Sequence, residues 1–181
     1  MGRPPTIDRN RVMDLAEQIL LKDGTGALTI DAVAKAAGIS KGGIQSRFGT
    51  KDDLIRAMLE RWTGEYEAQM SSATGPDPGP MAVVRGHVEI TMAMDAAERA
   101  RAAGFMAALI DAAEHRAECR SWYAELFGRL DPRSIEGRRA RVALLATEGA
   151  FLLRTFGLME FGDDEWASIQ GELRELLDGT I

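Results

Sequence analysis

From Gly24 to Asp53, helix-stopping and helix-starting residues alternate so closely that the chain there can form only short helices joined by tight turns. Gly24 closes an amphipathic pattern of Val12, Leu15, Ala16, Ile19 and Leu20 that starts at Thr6 or Asp8. Thr29 can cap a second helix carrying Ile30, Val33, Ala34 and Ala37, and Gly38 stops it where a left-handed residue is easiest to accommodate. Ser40 can cap a third helix, in which Ile44 and Phe48 stand four apart, and Gly49 ends it after about two turns. Thr50-Lys51-Asp52-Asp53 has the spacing of a capping box for a fourth helix, whose apolar positions run from Leu54 to Tyr66.

Helical patterning continues beyond a break at Thr74 to Pro80, where three prolines and two glycines in seven residues cannot extend a helix. Met81, Val84, Val88 and Thr91 form one stripe, Phe105, Ala108, Leu109 and Ala112 another, and Trp122, Tyr123, Leu126, Phe127 and Leu130 a third. Residues 135–158 and 166–177 supply two more. No stretch has strand periodicity, so the expected fold is all-α, with about nine helices. The expected organisation is a three-helix domain over residues 1–50 and a helical bundle over residues 51–181.

Two short helices joined by Gly38-Ile39-Ser40, the second of them basic, make a helix-turn-helix pattern. Such a second helix enters the DNA major groove with its N-terminal residues toward base edges. Gly42 and Gly43 sit in its first turn, where each costs about 1 kcal/mol relative to alanine. A helix start without side chains brings free backbone N–H groups closer to phosphate; an irregular turn is the other reading of the pair. The net charge is −6, yet the chain carries +2 up to Trp62 and −8 beyond it, and residues 32–51 hold Lys35, Lys41, Arg47 and Lys51 with no acid. A basic island on an acidic body points to a polyanionic partner, with a solvated face as the other reading. Arg3, in an extended "MGRPP" arm, is a second candidate, for the minor groove, or else part of a disordered tail.

The stretch "LTIDAVAKAAGISKGGIQSRFGTKDDLIRAML", within Arg9 to Leu59, resembles the N-terminal domain of TetR-family (tetracycline-repressor-like) transcriptional regulators. The resemblance implies three helices for DNA, a fourth as connecting lever, and a C-terminal helical ligand-binding and dimerisation bundle. It further implies a homodimer on a palindromic double-stranded DNA operator, usually as a repressor released by a small-molecule effector. By position, Thr29, Lys35, Ser40, Gly42, Gln45, Ser46 and Lys51 fall where family members touch DNA. Gln45 stands where the family most often has tyrosine, and its amide can pair with adenine N6 and N7. Gly43 replaces a usual Thr or Ser, which shifts the expected positioning role to Lys41, Lys51 and backbone amides.

Periodicity does not separate a ligand cavity from a packed core. By the resemblance, the ligand-binding candidates are Thr91, Met92, Phe105, Met106, Trp122 and Tyr123, with His87 as a polar contact or a satisfied boundary residue. Glu148 and Arg154 lie on a strongly apolar segment, so each requires a partner from another helix, another subunit or a ligand, unless it faces solvent. Glu148 joins the ligand candidates. Gly149, Leu153, Phe156, Trp166, Ile169 and Leu173 are the expected dimer seam.

The remaining features exclude other classes. Two histidines, no nucleophile–base pair and no phosphate loop argue against an enzyme, and no metal or cofactor is expected. The single Cys119 rules out an intramolecular disulfide. The longest apolar run, residues 142–159, is broken by Glu148 and Arg154, and residues 1–12 lack a signal-like apolar stretch, so a cytoplasmic location with no membrane partner is expected. A helical protein-interaction module that has lost specific DNA binding is the alternative.

Overall fold

A computed structural model describes residues 8–111 and 113–181, with side chains described outside 110–115. The described residues contain nine α-helices and no strand. They fall into two compact units: one runs to Gly64 and includes Gly104–Arg116, and the other comprises Glu65–Ala103 and Ala117–Ile181.

The first unit is built from α1 (Arg9–Asp23), α2 (Ile30–Ala37), α3 (Lys41–Phe48) and the first half of α4 (Lys51–Thr74). Each start is fixed by a side-chain cap. Asp8 accepts from the backbone N–H of Asn10 at 3.0 Å, Thr29 Oγ1 from Ala32 at 3.1 Å, and Ser40 Oγ from Gly43 at 3.1 Å. At α4 the capping box is reciprocal: Asp53 Oδ2 accepts from Thr50 N–H at 2.9 Å, and Asp53 N–H donates to Thr50 Oγ1 at 3.2 Å. Gly38 (φ 67°) closes α2 in the left-handed region, with Ile39 N–H returning to Ala34 O at 3.0 Å. These caps bury Val12, Ala16, Leu28, Val33, Ile44, Leu54 and Met58 in one core. Arg61 of α4 ties back to α1 through Asp14 at 2.6 Å and Glu17 at 2.8 Å.

The second unit packs α5 (Pro80–Ala93) against α8 (Ile135–Thr155) and α9 (Asp163–Asp178), with parts of α6 (Ala96–Asp111) and α7 (Ala113–Arg129). Its core is Val84, Val88, Met92, Leu126, Leu130, Ala140, Leu144 and Trp166. Pro80 is the first residue of α5, since a proline N–H is not needed there. The apolar pattern to Leu158 outlasts its helix: α8 stops at Thr155, and Gly157 takes φ 63°. Arg154 finds its partner inside this unit, its guanidinium 4.2 Å from the Trp166 ring centroid and 15% exposed.

Candidate nucleic-acid interface and buried polar cluster

Ile44 (0% exposed) and Phe48 (6%) anchor α3 in the core, which fixes the side it turns outward. Gly42, Gln45 and Ser46 occupy that exposed side. An added Cβ at Gly42 would meet nothing within 4 Å, so no packing demand of the chain explains the glycine. Ser40 is spent on capping and presents the α3 N-terminus with its free N–H groups. Lys41 sits on the flank toward α2, its ammonium 2.9 Å from Asp31 in an exposed pair worth little to stability. Thr29, at the α2 start, and Lys35 are also exposed. Lys51 differs from the others: half-buried, it donates from Nζ to Thr25 O at 2.8 Å, holding the loop between α1 and α2. Arg47 lies on the other flank of α3, beside Arg9. Arg3 falls outside the described residues.

The second unit contains a polar cluster in an otherwise apolar interior. His87 of α5 is 7% exposed; its Nε2 lies 2.8 Å from Glu148 Oε1 and its Nδ1 2.5 Å from the Tyr66 hydroxyl. Tyr123 O–H donates to the same Glu148 oxygen. An ionised carboxylate only accepts, so Nε2 donates to Glu148, and the Tyr66 hydroxyl bonds the other ring nitrogen. Burial alone would raise the Glu148 pKa, but hydrogen bonding and attraction from His87 and the Tyr123 hydrogen bond together bring it below the usual value. Burial, and then the Glu148 charge, push both tyrosine phenols well above theirs. Trp122, 36% exposed, lies 5.8 Å from the His87 ring and 4.8 Å from the Tyr123 ring. Of the partners posed for Glu148 by sequence, another helix supplies them. Tyr66 was missed as a member, because nothing at its own helical spacing marks it.

Sequence comparison matches most of the chain to two family descriptions. Residues 12–58 match the family described as "Bacterial regulatory proteins, tetR family", and residues 81–178 match "Tetracyclin repressor-like, C-terminal domain". The chain belongs to the TetR family. It is a TetR-family transcription regulator with a DNA-binding helix-turn-helix and a ligand-binding domain. Among solved structures it is similar to a transcriptional regulator from Rhodococcus sp. Rha1 (19% identity, 95% of this chain and 97% of that chain, TM-score 0.67). It is similar also to the multidrug binding protein EbrR complexed with malachite green (22%, 97% and 99%, TM-score 0.66). NalD, the secondary repressor of the MexAB-OprM multidrug efflux pump in Pseudomonas aeruginosa, is a third (16%, 94% and 94%, TM-score 0.60). No curated protein matches the sequence. At these identities the likeness to solved structures is one of fold.

Within this TetR-family chain, the residues expected to line one cavity are divided. His87, Thr91, Met92, Trp122, Tyr123 and Glu148 belong to the second unit, whereas Phe105 and Met106 belong to the first. Phe105 is 1% exposed and stacks on Trp62 with centroids 5.4 Å apart. Met92 is a core residue of the second unit, and its carbonyl accepts from Trp166 Nε1 at 2.9 Å. Of the seam residues, Trp166 and Leu173 are buried by their own chain, Ile169 packs partly on the same core, and Leu153 is half-buried. Phe156 is 45% exposed, and Gly149 has open space at its Cβ. On α8 they share a stripe with Val142, Leu145 and Leu152, each spaced three or four from the next along 142, 145, 149, 152 and 156, the three large side chains exposed by between 39% and 61%. That spacing was readable in sequence; the intervening Glu148 and Arg154 obscured it. Among the described residues no helix is long and apolar enough to cross a membrane.

Proposed function

We propose that this regulator is a cytoplasmic, ligand-responsive repressor that binds a palindromic operator as a homodimer and is released by a small molecule. One observation carries the DNA reading: α3 turns an exposed, thinned N-terminal side outward, at a glycine the chain's own packing does not require. Thr29, Lys35, Ser40, Lys41, Gly42, Gly43, Gln45, Ser46, Arg47 and Lys51 form the proposed contact set, with Gln45 reading a base and Lys41 and Arg47 holding phosphates. The exposed stripe from Val142 to Phe156 supports dimerisation, because a row of large apolar groups at 3–4 spacing gains by covering itself with a second copy. The cluster of His87, Tyr123, Trp122 and Glu148 supports effector binding, since it offers aromatic faces and a carboxylate with uncommitted lone pairs. EbrR binds malachite green and NalD is a repressor, in keeping with that reading.

Footprinting on the DNA flanking the protein's own coding region tests the proposal. A two-fold-symmetric protected site, with protection lost on adding effector, is the expected outcome. Absence of salt-dependent affinity for any duplex would overturn it in favour of a helical interaction module.

A further inference from the structure

A helix lying in the major groove has a phosphate backbone on each side, about 12 Å apart across the groove. The flank of α3 nearer α2 is supplied by Lys41 and the α2 start at Thr29. The opposite flank is a concavity of about 250 Å³ lined by Arg9, Arg47, Phe48, Asp53, Arg56 and Glu60. Arginines from three helices line it. Arg9 lies over the Phe48 ring, 4.9 Å from its centroid, and Arg56 pairs with Asp53. We infer that Arg9, Arg47 and Arg56 form a second phosphate clamp, which grips the DNA strand on the side of the recognition helix away from α2.

The chemistry of the lining supports a phosphodiester over a base edge. Guanidinium forks fit phosphate oxygens in pairs, and stacking on Phe48 holds the Arg9 fork without neutralising it. Asp53 is committed: its carboxylate accepts from Thr50 N–H and Thr50 Oγ1 as well as from Arg56, and these bonds, the Thr50 ones foremost, hold its pKa below the ordinary value. It therefore offsets Arg56 most and Arg9 and Arg47 least. Glu60, exposed on α4, is the charge that opposes an incoming phosphate.

The inference rests on the DNA reading above, and the test separates the two. Binding of the full chain to a mixed-sequence linear duplex is measured by fluorescence anisotropy across a salt series, for wild type, Arg9→Ala, Arg9→Lys, Arg47→Ala and Glu60→Gln. The expected result is a salt slope reduced by about 0.9 per protomer in each arginine-to-alanine variant and retained in Arg9→Lys. Glu60→Gln should bind several-fold more tightly at every salt concentration, a gain that misfolding cannot produce. Unchanged slopes in both alanine variants, or weaker binding by Glu60→Gln, overturn the clamp while leaving the DNA reading intact if wild type still binds steeply. A wild type that binds no duplex overturns both. Inorganic pyrophosphate that raises the melting temperature of wild type but not of Arg9→Ala, with slopes unaffected, would make this a small-anion site and overturn the DNA assignment.

Discussion

His87 and Glu148 meet at 2.8 Å, joining α5 to α8 inside an apolar bundle. Tyr66 of α4 and Tyr123 of α7 close the two ends of this hydrogen-bonded chain, so four helices share one carboxylate and one imidazole. A buried carboxylate stripped of a partner costs about 3–5 kcal/mol, so the cluster behaves as a unit rather than as separable contacts.

The chain has two tyrosines, both in that cluster, and both phenols are pushed up by burial and then by Glu148. A raised folded-state pKa means their contribution to stability is complete below the ordinary value near 10 and is lost as pH rises above it. Native protein should therefore show no tyrosinate absorbance at about pH 10–11, where the denatured chain titrates. A native step at that pH would refute the arrangement. Glu148 has the opposite sign: its lowered pKa gives stability above the ordinary carboxylate range that disappears as pH falls through the folded value. Glu148→Gln should remove this acid-limb loss from urea midpoints and bring the tyrosine onset to lower pH.

Gly42→Ala should separate folding from binding. With open space at the Cβ and helical backbone, alanine is expected to stabilise the free protein by about 0.5–1 kcal/mol while weakening DNA binding. Thermal melts and anisotropy on the same preparations check both signs, and equal DNA affinity would remove the case for close backbone approach.

Gly49→Ala should behave in the opposite way. Gly49 has φ 81°, and a Cβ there would lie 2.5 Å from Asp53 Oδ2, the atom that caps α4. Strain at a positive φ and damage to the cap together should cost about 2 kcal/mol, read as a lower urea midpoint with unchanged slope.

Leu145→Arg tests the proposed dimer. Leu145 is 61% exposed, so charge there is cheap for the folded chain and costly for a second copy laid on the stripe. Sedimentation should show monomer at concentrations where wild type is dimeric, with circular dichroism unchanged; a dimer that persists would move the seam elsewhere.

The two short helices on either side of Gly38 and the start of α4 were legible because their determinants are local. Thr29, Ser40 and the Thr50–Asp53 pair act within three residues of themselves, and Gly38 needs only its own backbone angle. The polar cluster was only half legible. His87 and Glu148 stood out as polar groups on apolar stripes, but their partners lie 21 to 61 residues away, and periodicity does not say which helices face each other. Phe105, placed with His87 by the resemblance, has its ring on Trp62 in the first unit, a pairing that spacing along its own helix does not announce. Along α8, local spacing carried the exposed stripe, whereas on α9 the turning of Trp166 toward Met92 and not toward solvent was decided only by packing.

Lys51 carries one more consequence. A lysine that clamps a phosphate ordinarily gives up the freedom of a long, flexible stem, at about 0.5–1.5 kcal/mol. Here the bond from Nζ to Thr25 O has already taken that freedom, at folding, while two of the three ammonium hydrogens stay uncommitted by it. An anion arriving at this corner meets a charge that is already immobilised, so the entropy of fixing it belongs to the stability of the free protein and not to the affinity of the complex.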